Sequence, residues 1–281
     1  MIDLEILHAT DPWDWPENTP ALLLESLKSD QTTAEDLLKT VEMAGEYCVI
    51  NDELAMALLD IVGQDNTAER IRGLAAIALG PAMEEADTYG FDDPDDVPIS
   101  ETSCKAIQTG FETLFENVDL PKEVRRRILE ASVRSPHPWH KEAIRRAFSD
   151  SDPDWQLTAV FCMQYVHGFH KQILKALESE DADTHYEAVR AAGACALDDA
   201  WTSIESLVMN PATDKPLLMA AIEAAVNIRP GEAGGLLADF LNSDDEDILD
   251  VVYGSLALAG TDLLDGDDDE EEDFEDDDDW E

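Results

Sequence analysis

Apolar residues recur along this chain at intervals of three and four rather than alternating, which predicts helices throughout and no strands. After Asp183 the run "THYEAVRAAGACAL" places Tyr186, Val189, Gly193, Ala196 and Leu197 on one helical face. Comparable runs follow Asp152 ("PDWQLTAVFCMQYV"), Asp214 ("KPLLMAAIEAAVNI") and Asp247 ("ILDVVYGSLALAG"). The first three aspartates stand 31 residues apart and the fourth follows after 33. Each is expected to open a helix by accepting from the unpaired N–H groups of its first turn.

A second helix follows in each unit: "KQILKALES", "WTSIESLVMN" and "EAGGLLADFLNS". Upstream, "DLPKEVRRRILEASV" and "HKEAIRRAF" read as a further pair, and "NTAERIRGLAAIALG" as another first helix. Three earlier stretches, "PALLLESLKS", "AEDLLKTVEMAGEY" and "DELAMALLDIV", are also helical in pattern. The count comes to about thirteen helices. Paired helices at a fixed period predict an all-α fold of the α-solenoid class, a right-handed superhelix whose units bury their faces by stacking. The many Ala and Gly in the first helices predict close approach of neighbouring helices.

The run "YEAVRAAGACALDDAWTSIESLV" resembles a HEAT repeat of the short bacterial kind, the type also seen in phycobilin lyase subunits. The resemblance covers residues 121–262 closely and 19–120 more loosely. It implies architecture more than activity, because HEAT repeats serve as scaffolds, adaptors and occasional enzymes. The expected layout is an N-terminal cap segment over 1–18, irregular repeats over 19–120 with an acidic loop at 87–101, regular repeats over 121–264, and a disordered acidic tail over 265–281.

Charge sharpens this picture. The 281 residues carry 18 Lys and Arg against 65 Asp and Glu, a net of −47. Fourteen of those carboxylates lie in residues 265–281, so residues 1–264 still carry −33. Such a field repels nucleic acids and anionic membranes and attracts cationic proteins; it also suits a chain that works in high salt. The tail has too few apolar residues to fold alone. Its Phe274 and Trp280 would let it dock on a basic surface, its own included. The N-terminus lacks the features of a signal peptide, no run is long enough to span a membrane, and Cys48, Cys104, Cys162 and Cys195 are scattered. The expected setting is the cytoplasm, with reduced thiols.

Three breaks in the repetition are candidate sites. The segment "DPWDWPENTP" puts Trp13 and Trp15 before the first regular helix. They would fold over the open end of the terminal repeat as a cover, which the atypical ends of solenoids favour, or form an aromatic clamp for a peptide. The acidic loop 87–101 lacks the spacing and central Gly of a calcium-binding loop and reads as a solvated turn. Residues 122–148 hold eight of the 18 basic residues: Lys122, Arg125, Arg126, Arg127, Arg134, Lys141, Arg145 and Arg146. Three Glu oppose them, leaving +5. This cluster either pairs with acidic neighbours between repeats or faces an anionic partner, for which Arg offers a bidentate fork. Trp139 and Trp155 lie beside it in sequence.

No His-Glu dipeptide, of the kind that holds iron in HEAT-repeat hydroxylases, occurs in the chain. The pairs His137/His140 and His167/His170, the second with Cys162 nearby, have a spacing compatible with metal binding but read as turn residues. Phosphate loops and serine elbows are absent as motifs. No metal or other cofactor is expected. The composite expectation is a non-catalytic scaffold or adaptor that binds a protein or peptide, with neither nucleic acid nor membrane as partner. The rival is a lyase-like accessory enzyme or small-ligand binder using a concave groove.

Overall fold

The computed structural model describes residues 4–93, 96–258 and 260. The tail with Phe274 and Trp280 therefore lies outside the described residues. The fold is all-α, and its helices pack in sequential pairs. The chain divides into two compact units, Met1–Ile173 and Leu174–Glu281.

In the first unit the helices are α1 (Leu4–His8), α2 (Thr19–Lys28), α3 (Ala34–Ala44), α4 (Asp52–Gly63) and α5 (Glu69–Ala78). They continue with α6 (Gly80–Tyr89), α7 (Glu101–Glu116), α8 (Lys122–Ser132), α9 (Pro138–Ser149) and α10 (Pro153–Cys162). The unit boundary falls inside α11 (His170–Ala176). The second unit holds α12 (Ala182–Ala194), α13 (Trp201–Met209), α14 (Lys215–Ile228), α15 (Pro230–Leu237) and α16 (Glu246–Leu258).

The sixteen helices among the described residues exceed the expected thirteen by α1, α6 and α7. α6 is an insertion: Pro81 stops α5 from running on and restarts the chain as a separate helix against α7 and α8.

Successive first helices form one layer in each unit. α3, α5, α8 and α10 neighbour one another in order, as do α12, α14 and α16. The other layer of the first unit is built from α2, α4 and α7. α9 packs closely on α10 and α13 on α14, each a second helix on the next first helix, whereas α15 packs more closely on the preceding α14. The turns before α10, α12, α14 and α16 are each held by a capping Asp.

Those caps need one correction. Asp152 and Asp214 do cap α10 and α14, accepting from Asp154 N–H at 3.0 Å and Leu217 N–H at 3.2 Å. At the other two helices the cap is two residues earlier. Asp181 accepts from Thr184 N–H at 2.9 Å, and Asp245 from Asp247 N–H at 3.1 Å. Asp183 and Asp247 sit inside the first turn, where a carboxylate favours the positive end of the helix dipole without capping it.

α12 also ends sooner than its apolar face implies. Cys195 closes the helix and Ala196 turns left-handed at φ 45°. Ala196 N–H donates to Gly193 O and Leu197 N–H to Ala192 O, each at 2.9 Å, a Schellman closure with buried Leu197 beyond it.

The small residues act as expected. A Cβ on Gly193 of α12 would lie 2.8 Å from Ala224 Cα of α14, so only glycine permits this helix contact. The surrounding core includes Val189, Ala192, Ala221, Ile222 and Ala225.

Candidate functional site

The basic stretch separates into an internal network and an open pair. Arg126 is 5% exposed, too buried to meet a partner. Its Nε donates to Thr158 Oγ1 at 2.9 Å, and that hydroxyl donates to Glu130 Oε1 at 2.5 Å. Arg126 also donates to Glu123 at 3.0 Å, and its guanidinium lies 3.6 Å from Asp154. Arg127 closes the circuit to Glu123 at 2.8 Å and Glu130 at 2.7 Å. Arg134 pairs with Glu84 and lies 5.6 Å from the centre of the Tyr165 ring.

Lys122, the first residue of α8, bridges Asp152 and Asp154 at 2.7 and 2.8 Å. Lys215, the first residue of α14, repeats this on Asp245 and Asp247 at 2.7 and 2.5 Å. A lysine opening one first helix thus clamps the capping and second-position aspartates of the next. The carboxyls of Asp152 and Asp245 are held below the ordinary range, first by the hydrogen bond from their lysine. Pairing across helices engages Lys122, Arg126 and Arg134, and pairing within α8 engages Arg127.

Arg125 and Arg146 behave differently. They line a cavity of about 200 Å³ with Phe115, Ala143, Ala147, Asp150 and Trp155. The end of α7 supplies Phe115, α8 supplies Arg125, α9 supplies Arg146 on a floor of Ala143 and Ala147, and α10 supplies Trp155.

Arg125 Nε donates to Phe115 O at 2.9 Å. Its guanidinium lies 5.1 Å from the Phe115 ring centre and 5.7 Å from that of Trp155, contacts that orient a cation without neutralising it. Its terminal nitrogens have no acceptor among the described residues, and Arg146 forms no ion pair among them. Burial, with the Arg146 charge added, pulls the Arg125 guanidinium down from its usual range. The two guanidinium groups share this pocket with the Asp150 carboxylate, and neither forms an ion pair among the described residues.

Rings frame it. Phe115 and Trp155 meet edge to face at 6.3 Å, and Trp139 packs against Phe115 at 5.1 Å. The expected site residues Arg125, Arg146 and Trp155 thus come together, with Trp139 behind them. Lys141 is exposed and Arg145 pairs with Glu142 at 3.3 Å; neither lines the cavity. Phe115 and Asp150 were not anticipated, because no sequence signal links a helix end to the next two helices.

The N-terminal tryptophans lie at a separate place. Trp15 turns inward, its Nε1 donating to Leu7 O at 2.9 Å and Thr10 O at 3.1 Å. Trp13 is 75% exposed, whereas Trp15 is half-buried, so the two rings take different environments. The backbone explains this: Asp11 accepts from Trp13 N–H at 3.0 Å and fixes the turn Pro12–Asp14 with the indole outside.

Histidine chemistry is constrained by hydrogen bonds. Buried His140 accepts at Nδ1 from His137 N–H at 2.8 Å. The proton therefore resides on Nε2, which donates to Ser132 Oγ at 3.0 Å. With both nitrogens engaged, His140 can neither chelate a metal with His137 nor activate Ser132 as a nucleophile. Of the second pair, His167 and His170 are exposed while Cys162 is buried. No cluster of three metal-binding side chains occurs among the described residues, and none of their helices is long and apolar enough to cross a membrane.

The chain matches no protein-family model and no curated protein. Solved structures with similarity to it include the Escherichia coli protein YibA, at 13% identity over 94% of this chain and 90% of that one, with TM-score 0.48. Human deoxyhypusine hydroxylase, solved with glycerol, is 14% identical over 93% and 96% of the two chains, with TM-score 0.37. An engineered protein is 18% identical over 92% and 82%, with TM-score 0.41.

Proposed function

We propose that this chain is a non-catalytic interaction protein that receives a carboxylate-bearing segment of another protein at the Arg125–Arg146 pocket. The observation that carries this reading is the pair itself: two guanidinium groups without carboxylate partners in a chain whose net charge is −47. An acidic protein that leaves two cations together between aromatic walls has kept them for an external anion. The cavity of about 200 Å³ admits a carboxylate side chain rather than a cofactor. The rings beside it suit an acidic segment that also carries an aromatic or aliphatic residue.

The test is a titration of the full chain with a labelled Glu-rich peptide bearing one Phe. Arg146→Glu, on an exposed side chain, should weaken binding at least ~10-fold, and Arg125→Lys by a similar factor because charge without the fork does not replace it. Unchanged affinity in both variants would refute the proposal.

A second reading, a small-ligand site of the lyase-like kind, draws on a cavity of about 590 Å³ along α3, α5 and α8. Leu74 and Ile77 give it an apolar floor, and Glu42, Arg70 and Arg127 give it charged walls. Arg127 is already committed to Glu123 and Glu130, which leaves this cavity the weaker candidate.

A further inference from the structure

A third cavity, of about 540 Å³, opens at the N-terminal end of the first unit among Trp13, Trp15, Tyr47 and the rings of Pro12, Pro16 and Pro98. The hydrogen-bond donors in its wall mostly point away from it. Trp15 Nε1 serves Leu7 and Thr10, Cys48 Sγ donates to Pro12 O at 3.4 Å, and Tyr47 OH to Asp96 O at 3.5 Å. The prolines have no N–H to offer. What remains for an occupant is flat ring surface, the Glu17 carboxylate, and the indole N–H of exposed Trp13, which has no partner among the described residues. The field at the wall is negative: the charges of Glu46 and Asp11, after burial, help push the Cys48 thiol up. No Lys or Arg lines the cavity.

We infer that this cup docks a cationic polyproline-II segment of a partner protein. A polyproline-II chain makes no internal hydrogen bonds, so its carbonyls are free to accept from the Trp13 indole while its pyrrolidine rings lie on the aromatic faces. An entering helix has its carbonyls already satisfied and would leave that N–H unmatched. A strand would need an exposed sheet edge, and no strand occurs among the described residues. The acidic wall selects arginine or lysine next to the prolines, with the cation near Glu17 and over the Trp13 or Tyr47 face. Tyr47 is 44% exposed and available for this stacking.

The experiment is calorimetry on the full chain with a blocked peptide of Pro-Pro-Arg repeats. Because any polycation is attracted to so acidic a protein, the comparison is a Gly-Ser-Arg peptide of equal length and charge. The proline peptide should bind at least ~10-fold tighter. Trp13→Ala, at a side chain that supports nothing in the fold, should abolish that difference, and Glu17→Lys should weaken the proline peptide ~10-fold. Arg146→Glu should leave it unchanged, which separates this site from the carboxylate pocket. Equal binding of the two peptides, or a Trp13→Ala variant that still discriminates between them, overturns the inference.

Discussion

Replacing Thr158 by Val keeps shape and volume and removes one hydroxyl from the middle of the buried Arg126–Glu130 network. Thr158 is completely buried, and its oxygen makes two bonds to charged groups, at 2.9 and 2.5 Å. A hydrogen bond to a charged group contributes roughly 1.5–3 kcal/mol. Arg126 keeps Glu123 and Asp154, and Glu130 keeps Arg127, so the lower end of that range applies to each bond. The expected loss is about 3 kcal/mol, or roughly 6–12 °C in Tm at 2–4 °C per kcal/mol for a unit of this size. Thr158→Ser is the control: it keeps the hydroxyl, loses a methyl group, and should cost about 1 kcal/mol. Urea unfolding followed by circular dichroism measures both, with unchanged slope indicating that only stability has moved. If Val costs no more than Ser, the hydroxyl is not holding the two charges, and the reasoning about the network fails.

Two further outcomes are expected. His140, whose imidazole is pushed down to about 3 by burial and then by the neighbouring His137 charge, folds as the neutral form. Its depressed value contributes stability that is complete above pH ~6.5 and is lost toward pH 3 at up to ~1.4 kcal/mol per pH unit; His140→Gln should flatten unfolding free energy across that window, and an unaltered slope would contradict this. Ala196→Gly, at φ 45°, removes a left-handed alanine and should stabilise the second unit by roughly 0.5–1 kcal/mol in urea unfolding, whereas a loss would contradict the strain assigned there.

Much of the helical layout was legible because three- and four-residue spacing of apolar positions leaves little choice of secondary structure. Asp152 and Asp214 could be read as caps since each directly precedes its helix, with a proline at the first or second helical position. Asp183 and Asp247 misled because each follows another capping aspartate by two residues, and only backbone geometry decides which one accepts. α6 hid behind Pro81, which sequence reads as an ending and the structure uses as a beginning. At the candidate site, the type and number of cations were visible, whereas their division was not. Whether Arg126 or Arg125 is neutralised depends on Thr158 and Glu130 on one side and Phe115 on the other, contacts between helices that share no local pattern. Trp13 and Trp15, two residues apart and alike in sequence, part company through a single capping bond at Asp11.

The internal use of cations has a kinetic side. Eleven of the 18 Lys and Arg residues are tied in ion pairs within 4 Å among the described residues. Each pair cancels at least one carboxylate, so the net charge of −47 rests on acids that have no internal cation. An acidic visitor bound for Arg125 and Arg146 must cross a repelling halo before it feels any attraction, and ions shorten that halo to about 8 Å at physiological strength. Added salt would then quicken arrival while loosening the final grip, the reverse of ordinary steering, so that encounter and hold answer to the medium in opposite directions.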